Sequence, residues 1–307
     1  MWFWLSIATL IFWSGSDIFS KIGCADGKDP YSHLKMIMAV GAVMGIHAAY
    51  SLIFGHVLLD FGIILTYLPI SLLYILSMLL GYIGLRYIEL SVSSPICNSS
   101  GAVVAVLCLA TGTLDLGAEG SMRILLIGAV ALICLGVVGL GIVESVEDDE
   151  LRMQRQKSSN FKYTKSWKAV CLPIAYCLLD AAGTFSDGIV LTKINEDSAN
   201  CAYEFTFLFA ALLAFVYVVL IKKQKLLPKA EAPKYIGALF ETLGQFTYIH
   251  ALSNEETVAL SAPIISSYCA LSAVWGHIFL KERLSKKHYI MIALVLIGII
   301  LLGIFDI

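Results

Sequence analysis

Glu241, Gln245 and Tyr248 stand four and three residues apart inside the run IGALFETLGQFTYIH at 236–250. On a helix that spacing puts all three on one stripe. A carboxyl, an amide and a phenol on one face of an apolar helix form either the wall of a wet cavity or a polar seam to the serines of the next helix. Asp180 and Asp187, seven residues apart in another apolar run, also share a helix face. Ionisable groups inside a membrane span are costly and by default mark a site. Asp180 is the one expected at a cavity, and Asp187 is expected nearer the outer interface. Asp17 lies four residues before Lys21, the spacing of a local ion pair at a helix end. His47 and His277 read as packing groups. Proton exchange needs an acid held away from bulk water, and Glu241 and Asp180 are the candidates.

A second set is built on proline. LSVSSPICNSSGAVVAVLCL begins at Leu90, and VALSAPIISSYCALSAVWGHIFLKERL begins at Val258. Pro95 and Pro263 fall at corresponding places, followed by Asn98 and Ser99 in one copy and by Ser266 and Ser267 in the other. Proline removes a backbone hydrogen bond and clashes with the carbonyl four residues back, here that of Ser91 or Ala259. Carbonyls freed at membrane depth are tolerated only against protein or a water-lined cavity. Small residues explain tight packing here, but an unpaired Asn98 amide in hydrocarbon would cost several kcal/mol. Trp13, Tyr74, Tyr176 and Trp275 are candidate aromatic walls. The candidate substrate contacts are therefore Trp13, Tyr74, Asn98, Ser99, Asp180, Glu241, Gln245, Tyr248, Ser266 and Ser267.

These residues require membrane helices to hold them. Of 307 residues, 59% are hydrophobic and 14% charged, against about 25% charged in soluble domains. Runs of roughly 20 apolar residues can span a bilayer. Ten such runs occur, at about 2–22, 34–55, 63–84, 90–111, 122–143, 168–191, 203–221, 234–252, 258–280 and 288–305. The fold expected is an all-α polytopic membrane protein. Residues 1–143 and 168–307 form two five-helix halves, joined by a charged linker at 144–167. The N-terminal run lacks a basic start and a cleavage site, so it reads as the first span.

Charge sets the orientation. Lys21, Lys28, Lys35, Arg86, Lys222, Lys223, Lys225, Lys229, Lys281, Arg283, Lys286 and Lys287 cluster after odd-numbered helices. The positive-inside rule makes that face cytoplasmic and both termini extracytoplasmic. Five helices per half invert the second half, and corresponding loops do swap charge: Asp115 and Glu119 after helix four, but Lys281–Glu282–Arg283 after helix nine. Inverted repeats are typical of secondary transporters.

The second half resembles the EamA-type, ten-helix form of the drug/metabolite transporter superfamily. Its carriers of the resemblance are Ala259-Leu260-Ser261-Ala262-Pro263, then Trp275-Gly276-His277-Ile278-Phe279-Leu280-Lys281-Glu282-Arg283-Leu284, then Ile297-Gly298. Lys281 replaces the family's usual glycine, and the first half lacks the Glu-Arg-Leu end. Phe12-Trp13-Ser14-Gly15-Ser16 is similar to the family's first-helix motif with Ser14 inserted. The resemblance implies a carrier with helices one, three, four, six, eight and nine around a central cavity and the second helix of each half outside it.

Other classes find little support. No G-x-x-x-x-G-K-[ST], H-E-x-x-H or G-x-S-x-G occurs, so ATP drive and the common hydrolase chemistries have no motif. A channel, a sensor or a membrane-embedded enzyme are the alternatives. Eight cysteines without a C-x-x-C read as small hydrophobes, and no metal or cofactor is expected. The expected partners are a small-molecule substrate and the bilayer. Nucleic acid is not expected at a net charge of −2, and two complete halves suit a monomer. An anionic cargo would want buried Lys or Arg, which no helix interior is expected to supply. The cavity suits small amphipathic or amine-bearing metabolites, with export as the expected direction.

Overall fold

The computed structural model describes residues 1–24, 29–87, 90–111, 121–146, 167–253, 255–280 and 285–305. The Leu114–Glu119 loop, most of the central linker and the Lys281–Leu284 end lie outside the described residues, as does Lys28. The first half holds α1 (Trp2–Cys24), α2 (Ser32–Ile53), α3 (Phe61–Gly84), α4 (Leu90–Asn98), α5 (Ser100–Thr111) and α6 (Ser121–Val146). The second holds α7 (Trp167–Val190), α8 (Glu196–Phe215), α9 (Pro228–Ala251), α10 (Glu255–Ser266), α11 (Tyr268–Phe279) and α12 (Lys286–Phe305). α4 with α5, and α10 with α11, each read as one helix with a break, which gives ten helical segments among the described residues. No strand occurs among the described residues.

Local chemistry fixes several helix starts. The Asp60 carboxylate accepts the Ile63 amide at 2.7 Å and opens α3. Asn195 does the same for α8 through Asp197 N–H. Pro228 opens α9, where a missing amide proton costs nothing. Among the described residues six helical stretches are long and apolar enough, by length and composition, to cross a membrane. Large apolar side chains such as Ile46, Ile124, Phe209 and Ile300 are exposed on the outside. In water such a surface would aggregate; in a bilayer it meets acyl chains.

The halves interlock. α1 packs on α9, α3 on α7, α2 on α8, and α6 on α12. The broken helices cross segment by segment, α4 on α11 and α5 on α10. Gly101 permits that crossing, because a Cβ there would collide with Ser266 Oγ and sit 2.8 Å from the Ala262 carbonyl oxygen. α6 and α12 form a second apolar core with the first half of α1 and with α10 and α11.

The breaks do not fall where the proline steric argument places them. Both prolines lie inside helix, and the discontinuity comes four residues later, at Ser99 and Ser267. Ser99 N–H is shared between the Pro95 and Ile96 carbonyls at 3.1 and 3.3 Å, and its hydroxyl also takes the Pro95 carbonyl at 2.9 Å. Ser267 N–H is shared between Pro263 and Ile264 at 3.1 Å each, and its hydroxyl takes the Ile264 carbonyl at 2.5 Å. Ala102 and Ala270 then bond three residues back, to Ser99 and Ser267. A serine that bonds its own preceding turn tightens the helix there.

Basic residues gather at one face. Lys21 Nζ donates to the Leu85 carbonyl at 2.9 Å, and Lys35 Nζ to the Lys225 carbonyl at 3.2 Å. Lys35 also pairs with Asp29 at 2.7 Å, and Lys234 with Glu231 at 2.8 Å. Asp29 lies outside the spans. Burial alone would raise its carboxyl pKa, but the Lys35 ammonium and the Tyr31 amide outweigh it and hold the pKa below the ordinary value. The opposite face carries Asp60, the Ser198 hydroxyl bonded to the Leu58 carbonyl at 2.7 Å, and His250 beside Asp197.

Candidate functional site

Between the halves lies a cavity of roughly 680 Å³ not occupied by protein atoms, its open part included. Trp13, Ser16, Asp17 and Ser20 of α1 line it, facing Tyr74, Met78 and Tyr82 of α3. Ser93 and Ser94 of α4, Tyr176 and Asp180 of α7, Tyr203 of α8, Glu241 and Gln245 of α9, and Tyr268 of α11 complete the polar wall. Ser20, Tyr82 and Leu85 place one end of the cavity beside the basic face. A side chamber of about 290 Å³ shares Trp13, Tyr176, Asp180 and Tyr268, and adds Asn98, Tyr248 and Ser266.

Eight of the ten sequence-based candidates thus line one chamber or the other. Ser99 and Ser267 do not; they hold the two helix breaks. Asn98 does not carry an orphaned amide, since its nitrogen donates to the Ser94 carbonyl at 2.8 Å and to Ser94 Oγ at 3.1 Å. Pro95 and Pro263 line neither chamber. Trp275 points its indole N–H at Ser14 Oγ, 3.2 Å away, and is not a wall residue.

The carboxylates hold serines, each from another helix. Ser94 and Ser272 both donate to Asp17 Oδ2, at 2.5 and 2.9 Å. The expected Asp17–Lys21 pair is not the arrangement found: Lys21 turns to Leu85, and Asp17 turns inward. Ser16 donates to Glu241 Oε2 at 2.7 Å, and Ser100 bonds Asp180. Aromatic rings are seated against glycines: a Cβ on Gly183 would lie 2.7 Å from Tyr74, and one on Gly81 would lie 2.9 Å from Tyr176.

Away from the basic face the cavity ends at a clasp. Asp187, near the end of α7, is fully buried and lies within hydrogen-bond reach of three phenols. Tyr67 donates to Oδ1 at 2.5 Å; Tyr74 and Tyr248 approach Oδ2 at 2.6 and 3.0 Å. Tyr74 and Tyr248 are also 2.5 Å apart, and Thr184 Oγ1 lies within 3.3 Å of both. Each phenol has one proton. Tyr74 and Tyr248 therefore share their two protons among each other, Asp187 and Thr184. The clasp ties α3, α7 and α9 together. Nothing in the spacing of Tyr67, Tyr74 and Asp187 announces it, because the partners come from helices more than 100 residues apart.

The buried lysines correct another expectation. Lys21, Lys35 and Lys234 are at most 7% exposed inside helices, where none was expected. They sit at the basic end, and among the described residues no Lys or Arg lines the cavity. Outside the cavity, His47 of α2 bonds Glu204 of α8 at 2.7 Å, a clamp between two peripheral helices. α2 contributes nothing to the cavity wall, as the resemblance implies, but Tyr203 brings α8 into it. Among the described residues no group of three His, Cys, Asp or Glu could hold a metal.

No curated protein matches this chain. A solved crystal structure is similar in fold, with a TM-score of 0.62 and 11% identity over 98% of this chain and 96% of that one. Residues 167–304 match the EamA-like transporter family. The second half of this chain is thus similar to EamA-like transporters, in a multi-pass helical membrane protein.

Proposed function

We propose that this chain is a secondary carrier that exports small amphipathic or amine-bearing metabolites across the plasma membrane by alternating access, with proton exchange at Glu241 and Asp180. One observation carries the reading: a single cavity is walled by both halves, holds buried carboxylates, reaches toward the basic face and is shut toward the other by the Asp187 clasp. A site closed at one end only is what rocking halves expose in turn. The helix pairing supports an inverted repeat at 1–143 and 168–307. Counting spans, one packs on eight, three on six, two on seven, four on nine and five on ten. Adding five to every number converts this set of pairs into itself. The continuous clasp disfavours an open pore, and the basic face is the cytoplasmic one on the positive-inside rule.

The test is flux in liposomes with a pH dye inside and amino acids or short amines added as probes. Wild-type protein moves protons against a probe and shows saturable counterflow. Glu241→Gln loses at least tenfold of the pH-driven flux. Full pH-driven flux in that variant would remove the proton role from Glu241, and absence of counterflow with any probe would remove the carrier.

A further inference from the structure

The cavity wall is electrostatically one-sided. Asp17, Asp180 and Glu241 all line it, and among the described residues no Lys, Arg or His does. The serine donors found occupy Oδ2 of Asp17 and Oε2 of Glu241, which leaves the second oxygen of each for a ligand. Four further polar atoms on the same wall are buried without a partner: Trp13 Nε1, Ser20 Oγ, Tyr82 OH and Gln245 Nε2. Ser20, Tyr82 and Gln245 are 2%, 6% and 3% exposed. A polar group left buried and unpaired is costly, so an unfilled set of four on one wall points to a ligand that pairs with them.

The chemistry of that ligand follows from what surrounds the acids. Among the described residues no three of His, Cys, Asp and Glu are placed to hold a metal, which disfavours a compact divalent ion and favours charges spaced along a molecule. Aromatic rings line the same cavity, Trp13, Tyr82, Tyr203 and Tyr268 among them. Such rings attract an ammonium group through their faces and pack against methylenes. We infer that the cavity is built for a linear aliphatic amine carrying two or more ammonium groups, its nitrogens on the separated carboxylates and its methylenes against the rings. This deepens the carrier reading, on which it rests for its physiological role but not for binding.

The experiment is calorimetric titration of the purified, detergent-solubilised protein with spermidine, 1,4-diaminobutane, butylamine, glutamate and magnesium chloride. Spermidine and diaminobutane are expected to bind saturably, and butylamine at least tenfold more weakly. Magnesium should not displace spermidine at equal concentration. Asp17→Asn, Asp180→Asn and Glu241→Gln should each weaken spermidine at least tenfold while leaving the thermal unfolding of the unliganded protein within a few degrees. The probe series on wild-type protein decides even if a variant fails to fold. Butylamine or glutamate binding as tightly as spermidine, or displacement by magnesium, would overturn the inference. Spermidine binding without counterflow would sink the carrier and leave the ligand class standing. Counterflow of a monoamine with spermidine inert would do the reverse.

Discussion

A carboxylate buried among three phenols can neither leave nor be left without consequence. Asp187 depends on Tyr67, Tyr74 and Tyr248, and removing one donor to a charged acceptor costs about 1.5–3 kcal/mol. At about 1.4 kcal/mol per decade that is a ten- to hundredfold change in how often the clasp opens. Tyr67→Phe keeps the ring and loses only the hydroxyl. A reporter cysteine at Ser71, which is fully buried on α3 between two clasp tyrosines, should react with a thiol reagent at least tenfold faster in that variant. An unchanged rate would deny the clasp a gating role. The Glu241 stripe was legible at this scale because both its cavity contacts and its clasp residue, Tyr248, follow one helical period. Asp17 was not. Its visible neighbour was Lys21 at i+4, whereas its true partners, Ser94 and Ser272, lie 77 and 255 residues away. Only the tertiary fold creates them.

The broken helices show which part of an element is written locally. Proline marks the right turn, and in both copies the serine four residues on completes the break through its own hydroxyl. What a single helix cannot show is that the two breaks rest on each other. α5 meets α10 through Gly101, with Ser266 and the Ala262 carbonyl in the way of any side chain. Overpacking a tight contact costs typically about 1–3 kcal/mol. Gly101→Leu should therefore lower the unfolding temperature in detergent by several degrees and abolish counterflow. Gly128, with open space beside it, should accept the same change without loss of either. Equal tolerance at both positions would mean the crossing is not close in the working protein. The seating of Tyr74 on Gly183 makes a parallel case, since a methyl group there would press on the clasp itself.

Viewed as a whole molecule, the chain sorts its polar groups by face. The ends of α1, α3 and α8 and the starts of α2 and α9 bring their basic groups together, and Lys21, Lys35, Arg86 and Lys225 are linked across those ends by bonds to backbone or side chains. The opposite face has the Asp60 cap, Asp197 and the loop that Ser198 fastens. This division was legible from loop composition, because charge sits where chain segments leave the bilayer regardless of how the helices pack. The depth of Lys21, Lys35 and Lys234 was not legible, because sequence distance to a loop does not say whether neighbouring helices close over a side chain. The division makes a prediction about topology in the living membrane. In a background with the eight cysteines replaced, a cysteine at Asp60 and one at Lys225 lie on opposite faces. With the basic face inside, an impermeant thiol reagent added to intact cells should label the Asp60 position and spare Lys225 until the membrane is opened. The reverse pattern would invert the orientation and, with it, turn the cavity from inward-facing to outward-facing. Labelling of both in intact cells would require that the two sets of loops share one side, which the helix alternation forbids.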